Sequence, residues 1–172
     1  MYDSGMDRTL KLWGGMIVFL GVGLLGALGH ASSMLLLPEV LFYLLLLVHT
    51  YLSIELFTRI EDRHYDQLIA DLLLFVSYVG LGLSLGTPVS FFFFNLCLFV
   101  AAPLKYAFLL GRIPHPILLR RKIVIDLSGT LLATVVLGVA IFSSALVAAW
   151  LLTILFALAS VRYLITHPLY RL

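Results

Sequence analysis

Five ionisable side chains lie inside or at the edges of long apolar stretches of this sequence: His49, Glu55, Asp71, Lys105 and Asp126. An ionisable group in such surroundings is costly and is a functional candidate by default. Carboxylates, a lysine and a histidine can pair across helices or pass protons, which suggests an ion or proton relay. We expect Lys105 to lie opposite Asp71 or Asp126. The alternative is that each group pairs with a neighbour of its own segment.

Nearly all charges lie in four short clusters, at residues 3–11, 55–71, 105–122 and 162–171. These hold all eleven Lys and Arg residues and seven of the nine acids, whereas Glu39 and Asp126 fall outside. The chain is 62% hydrophobic and 12% charged, with a mean hydropathy of +1.11. Soluble domains carry about 25% charged residues. The composition therefore excludes a soluble domain and predicts an integral membrane protein.

The apolar stretches between the clusters have the length of helix pairs. Residues 72–104 and 127–161 contain no charge and are 33 and 35 residues long, and 12–54 contains only Glu39. A membrane-spanning helix needs about 20 apolar residues. We predict an all-α polytopic membrane protein with one domain over residues 1–172 and six transmembrane helices in three hairpins. The predicted spans are 12–30, 35–57, 67–86, 89–111, 123–142 and 145–165.

The distribution of basic residues predicts the orientation. Every Lys and Arg lies on the side of the clusters, and none lies at the expected hairpin turns near 31–33, 86–88 and 143–144. Short cytoplasmic loops are enriched in Lys and Arg. We therefore expect a cell-membrane protein whose termini and charged loops are cytoplasmic, and we identify no cleaved signal peptide.

Other chemistry has little support in the sequence. Asp62, His64 and Asp66 alternate, so they could converge on a metal only if their loop were extended. In a helix, ordinary ion pairs would form instead among Arg59, Asp62, Arg63 and Asp66. His49 is the only histidine deep in a predicted span, which argues against two-histidine haem ligation. Cys97 is the only cysteine and has no neighbouring base. We expect no metal and no cofactor, and no catalytic signature is present.

The third cluster suggests a lipid contact. Its basic residues could bind anionic lipid headgroups at the cytoplasmic face; they are Arg112, Arg120, Arg121 and Lys122. The net charge of +2 reflects orientation, so we expect no nucleic-acid partner.

Four residues of the segment 115–129 form a spaced pattern. Arg121 follows Pro116 by five residues, Asp126 follows Arg121 by five, and Gly129 follows Asp126 by three. This pattern resembles the loop and second helix of the small F subunit of Mrp-type multisubunit cation/proton antiporters, and a related subunit of the antiporter-like module of membrane-bound hydrogenases. The segment ending at Arg162 is similar to the third span of that subunit.

The resemblance extends over residues 96–166, because Ala101 to Arg112 is also similar to a span of the sibling G subunit. It departs from the family at two positions. His115 replaces a glycine, and Arg120 replaces an acidic residue, which reverses a charge relevant to ion traffic. The resemblance implies an accessory membrane subunit, with Pro116, Arg121, Gly129 and Arg162 as structural positions.

Three functions remain open on this basis. The first is a non-catalytic membrane subunit of an ion-translocating or respiratory-type complex, with a polar layer at the cytoplasmic edge and other membrane subunits as partners. The second is a self-sufficient small transporter or substrate-binding membrane component, which would need polar groups near the midplane. The third is an enzyme that processes lipid at the cytoplasmic edge.

Overall fold

The computed structural model describes residues 5–57, 65–110 and 116–166, and these form six α-helices without any strand. The helices are α1 (Gly5–Gly29), α2 (Leu36–Phe57), α3 (Tyr65–Leu83), α4 (Pro88–Leu109), α5 (Pro116–Phe142) and α6 (Ala145–Ser160). A π-helical segment, Val161–Thr166, continues α6. The predicted all-helical architecture is confirmed.

Five of these helices are long and apolar enough to cross a membrane. In α3 the apolar part is shorter, Gln67–Leu83, and lies near the lower limit of about 17 residues for a span. The helix ends three residues before the predicted boundary because the turn that follows begins at Ser84.

Helix α5 begins seven residues earlier than predicted. Pro116 is its first residue, a position where the fixed φ of proline suits a helix and its missing N–H costs nothing. The basic residues Arg120 to Lys122 therefore belong to the helix and do not form a loop.

The six helices form a closed ring. Each packs mainly against two others, in the order α1, α3, α4, α5, α6, α2 and back to α1. The three turns, at 30–35, 84–87 and 143–144, lie at one end, which we call the hairpin end. At the other end, the charged end, α2 and α4 finish and α3 and α5 begin.

Glycine allows the closest approach in the ring. A Cβ on Gly26 of α1 would lie within 3.0 Å of the carbonyl oxygen of Gly82 on α3. Small residues let membrane helices come together in this way, with van der Waals contact as the gain. Tyr43 of α2 lies beside the same contact and donates its hydroxyl to the Phe19 carbonyl at 2.8 Å. These contacts join α1, α2 and α3.

The ring is filled unequally along its axis. Toward the hairpin end it contains fully buried side chains such as Phe42, Phe91 and Phe92. A smaller apolar cluster at the charged end joins Leu56 with Tyr106, Leu109 and Leu119. The outer surface carries many exposed Leu, Ile, Val and Phe side chains, as expected of helices that face lipid or other membrane helices.

Candidate functional site

Helix α2 places three polar side chains inside the ring, and each bonds a different helix. His49 bonds Ser160 Oγ of α6 at 2.9 Å, Thr50 Oγ1 bonds the hydroxyl of Tyr78 on α3 at 2.6 Å, and Ser53 Oγ bonds the hydroxyl of Tyr106 on α4 at 2.7 Å. Thr50 lies three residues and His49 four residues before Ser53, spacings that make side chains neighbours on a helix surface. This face of α2 therefore fixes the positions of three other helices.

His49 shares the Ser160 hydroxyl with a backbone carbonyl. Ser160 Oγ lies 2.7 Å from the Phe156 carbonyl oxygen and 2.9 Å from His49 Nε2. The imidazole tautomer decides whether Nε2 donates to Ser160 or accepts from it. The ring also packs against Phe156, with centroids 5.2 Å apart.

Two lysine–aspartate pairs lie nearer the charged end. Lys105 of α4 bonds Asp71 of α3 at 2.6 Å, and Lys122 of α5 bonds Asp126 one turn along the same helix at 2.9 Å. Of the two partners that the sequence suggested for Lys105, the structure pairs it with Asp71. Lys122 also lies 5.5 Å from the centroid of the Tyr106 ring, within the range of a cation–π contact.

The two pairs differ in exposure. The Asp71 side chain is 48% exposed and that of Lys105 is 15% exposed, whereas Lys122 and Asp126 are at 12% and 7%. The Asp126 Oδ2 atom is buried and has no hydrogen-bond partner among the described residues. The first pair therefore reaches the surface of the protein, and the second is enclosed by the ring.

A cavity of about 550 Å³ lies among these groups. All six helices line it, and its polar border is formed by His49, Thr50, Ser53, Asp71, Tyr78, Lys105, Tyr106, Lys122, Asp126, Ser128 and Tyr163. Pockets for small organic molecules typically measure about 300–1,000 Å³. The cavity is therefore large enough for a small organic molecule.

The remaining wall of the cavity is apolar. Aromatic rings from four helices contribute to it: Phe19, Phe75, Phe99 and Phe156. Gly129 belongs to the same wall, and a Cβ there would lie 2.5 Å from Cδ1 of Phe99. The glycine thus leaves room for the Phe99 ring between α4 and α5. A largely apolar cavity with a few convergent polar groups is the usual form of a small-molecule site.

Other residues singled out by the sequence lie away from the cavity. Glu55 is half-buried near the end of α2 and does not line it. Arg121 and Arg162 are exposed, on α5 and on the π-helical segment. Pro116 is exposed at the start of α5.

Two parts of the predicted chemistry cannot be located. Arg112 of the proposed lipid contact and the Asp62, His64 and Asp66 group lie outside the described residues. Within the described ranges, no three His, Cys, Asp or Glu side chains converge as a metal site requires.

Sequence reasoning missed several residues of the cavity, namely Thr50, Ser53, Tyr78 and Tyr106. The spacing His49-Thr50-Ser53 on one helix was an available signal, because hydroxyl and imidazole groups in membrane helices bond across to neighbours. Sequence reasoning noted Glu39 only as an isolated charge and gave it no role. It is wholly buried at the hairpin end, where its Oε2 accepts from the Gly86 N–H at 2.5 Å.

Comparison with known proteins found no matching family model, no similar curated protein and no similar solved structure.

Proposed function

We propose that this chain is a membrane component that binds a small amphipathic molecule in the cavity of its helical ring. The observation that carries the proposal is the cavity itself, about 550 Å³ in volume, with an apolar aromatic wall and two lysine–aspartate pairs on its border. Of the functions that the sequence left open, this is the substrate-binding component.

The balance of charge around the cavity favours a ligand without net charge. Among the described residues that line it, the carboxylates are Asp71 and Asp126 and the amines are Lys105 and Lys122, two of each sign. His49 also lines the cavity, but an imidazole carries no fixed charge near neutral pH. A charged group taken from water into a poorly polarisable site is costly unless a partner compensates it. A ligand with a net charge would unbalance this cavity, whereas a zwitterion would not.

The Lys105–Asp71 pair is the most accessible polar contact for the ligand. Both side chains are partly exposed, and their charged atoms lie 2.6 Å apart on different helices. A zwitterionic headgroup can place its anion against the lysine and its cation against the aspartate, while its chain lies along Phe75 and Phe99. The enclosed Lys122–Asp126 pair then contributes to the electrostatic balance of the cavity.

The orientation of the chain is part of the proposal. We assign the charged end to the cytoplasmic face of the cell membrane, on the support of eleven Lys and Arg residues, none of which lies at a hairpin turn. Membership of an antiporter-like or respiratory complex stays a prediction from the sequence resemblance. Purification in a mild detergent tests it, since a chain that runs alone without other subunits would contradict it.

Four probes with the same octyl chain test the binding proposal. Octyl phosphate is an anion, octylamine is a cation, octylphosphocholine is a zwitterion without an N–H donor, and octyl phosphoethanolamine is a zwitterion with one. Calorimetric titration of the purified full-length chain in a non-ionic detergent measures each affinity, with protein-free micelles as the blank.

We expect saturable binding of both zwitterions, about tenfold tighter than that of octylamine or octyl phosphate, which corresponds to about 1.4 kcal/mol. Octyl phosphoethanolamine should bind tightest, because its ammonium group can donate to Asp71. If none of the four probes binds saturably, the binding function is wrong. If octyl phosphate or octylamine binds tightest, the cavity binds an amphiphile but the charge argument is wrong.

A further inference from the structure

A buried carboxylate connects two of the three turns at the hairpin end. Glu39, in the first turn of α2, is 0% exposed and accepts the N–H of Gly86 from the turn between α3 and α4. Ser33, in the turn between α1 and α2, donates its hydroxyl to the Gly86 carbonyl at 3.2 Å. We call these contacts of Glu39, Ser33 and Gly86 the latch.

The latch depends on a glycine at position 86. Its φ is +84°, a conformation that L-residues with a side chain rarely adopt. A Cβ at Gly86 would also collide with Cβ of His30 in the neighbouring turn. The amide that bonds Glu39 is therefore presented by a backbone shape that glycine alone fits. The second side-chain oxygen of Glu39, Oε1, is buried, and no group in the described part of the chain bonds it.

A row of aromatic rings fills the space between the latch and the cavity. Phe156 lines the cavity and lies 4.9 Å from Phe42, which lies 6.0 Å from Phe91, both measured between ring centroids. Phe42 and Phe91 are fully buried. Phe42 follows Glu39 by three residues on α2, so it lies about one helical turn below the latch. We call Phe42, Phe91 and Phe156 the plug.

We propose that the latch and the plug form a closed gate at the hairpin end, and that the protein is a transporter whose cavity can open to either side of the membrane. In the structure the cavity meets the surface at Asp71, nearer the charged end. Release of Glu39 from Gly86 frees the first turn of α2 from the turn between α3 and α4. Phe42 moves with α2, because the two residues share one helical turn, and the plug opens.

The incomplete bonding of Glu39 keeps the free-energy gain of the closed state small. A buried acceptor held by one short bond, with its other oxygen unsatisfied, gains less from the closed state than a fully bonded carboxylate would. The open state can hydrate both oxygens. The closed and open states can thus lie close enough in free energy for a ligand to shift the balance between them.

Cysteine accessibility tests the gate without any ligand, so its result is independent of the binding titration. Cys97 is first replaced by alanine, and Ala102, which lines the cavity, is replaced by cysteine as the reporter. A membrane-impermeant thiol reagent is then applied to right-side-out and to inverted membrane vesicles, and the rate of modification is measured from each side.

The decisive variant is Glu39→Ala, and its matched control is Thr153→Ala. Thr153 donates to the Pro38 carbonyl at 2.7 Å and joins α6 to the same end of α2, but it does not contact Gly86. We expect Glu39→Ala to speed modification from the hairpin end by about tenfold or more, the range set by leaving the buried Gly86 N–H without its acceptor. Thr153→Ala should leave that rate within about twofold.

Two outcomes would overturn the gate. In one, Glu39→Ala leaves the rate from the hairpin end unchanged; in the other, both variants raise it equally, which would indicate general loosening of α2. If Glu39→Ala does not purify as a monodisperse protein, Ser33→Ala decides instead. It removes only the Ser33 hydroxyl bond to Gly86, and a rate equal to that of the parent reporter protein would reject the latch.

Discussion

The close contact between α1 and α3 gives the sharpest prediction on how the ring holds together. Gly26→Ala would place a Cβ within 3.0 Å of the Gly82 carbonyl oxygen, whereas ordinary contact begins at 3.4 Å. The two helices would have to separate by more than 0.4 Å. Because the obstructing atom belongs to the backbone of α3, a side-chain rotation cannot relieve the contact.

The expected cost follows from two opposing effects. Alanine is favoured over glycine inside a helix by about 1 kcal/mol, whereas overpacking costs about 1–3 kcal/mol. Gly21→Ala is the matched control, because a Cβ at that exposed position of α1 meets nothing within 4 Å. Gly21→Ala gains the stability that alanine has over glycine inside a helix, and it introduces no clash. The helix preference is common to both variants, so we expect Gly26→Ala to be less stable than Gly21→Ala by the overpacking cost alone, about 1–3 kcal/mol.

Thermal unfolding of the purified variants in detergent measures this difference. Trp13 of α1 and Trp150 of α6 are natural fluorescence reporters. For a chain of this size, 1–3 kcal/mol corresponds to a difference of roughly 2–12 °C in the unfolding midpoint. Equal midpoints for Gly26→Ala and Gly21→Ala would refute the close contact, and with it the closure of the ring between α1 and α3.

Two further predictions concern polar groups inside the ring. Asp71→Lys should lower the unfolding midpoint, because it places two lysines together. The double variant Asp71→Lys, Lys105→Asp should restore most of the loss, with a coupling of about 1 kcal/mol because Asp71 is half exposed. A double variant less stable than Asp71→Lys alone and Lys105→Asp alone would contradict the pairing. Asn95 is fully buried, and neither its amide nitrogen nor its oxygen has a partner among the described residues. Asn95→Leu should therefore stabilise the chain by about 1–3 kcal/mol in the same thermal assay, and a loss of stability would show that the amide is bonded to something else.

The helices could be predicted from the sequence because charge and length alone define them. A bilayer requires about 20 apolar residues per span, and charged residues separate the apolar runs between 55 and 71 and between 105 and 122. The order of the ring could not be predicted. Helices that are apolar on every side carry no stripe to indicate which face meets a neighbour. Gly26 is one useful signal, because glycines in membrane helices favour close packing, but the sequence does not identify Gly82 as the contact.

The candidate site could be predicted only in part from the sequence. Asp71 and Lys105 were noticed because charges in apolar sequence are rare, and two possible partners for Lys105 followed. Thr50 and Ser53 attracted no attention, because hydroxyl groups in membrane helices also bond their own backbone. Glu39 stood out as an isolated charge, but its partner Gly86 is 47 residues away in the chain. Contacts of that kind depend on the packing of helices, which a single sequence does not reveal.

The binding cavity is tested most directly by filling it. Ala102 and Ala107 both lie on α4, but Ala102 lines the cavity whereas Ala107 is exposed on the outside of the ring. The measurement is the affinity for octyl phosphoethanolamine of Ala102→Trp and of its matched control, Ala107→Trp. We predict that Ala102→Trp abolishes saturable binding and that Ala107→Trp binds as the parent does. Equal affinity of the two variants would show that the probe binds elsewhere and would contradict a functional cavity.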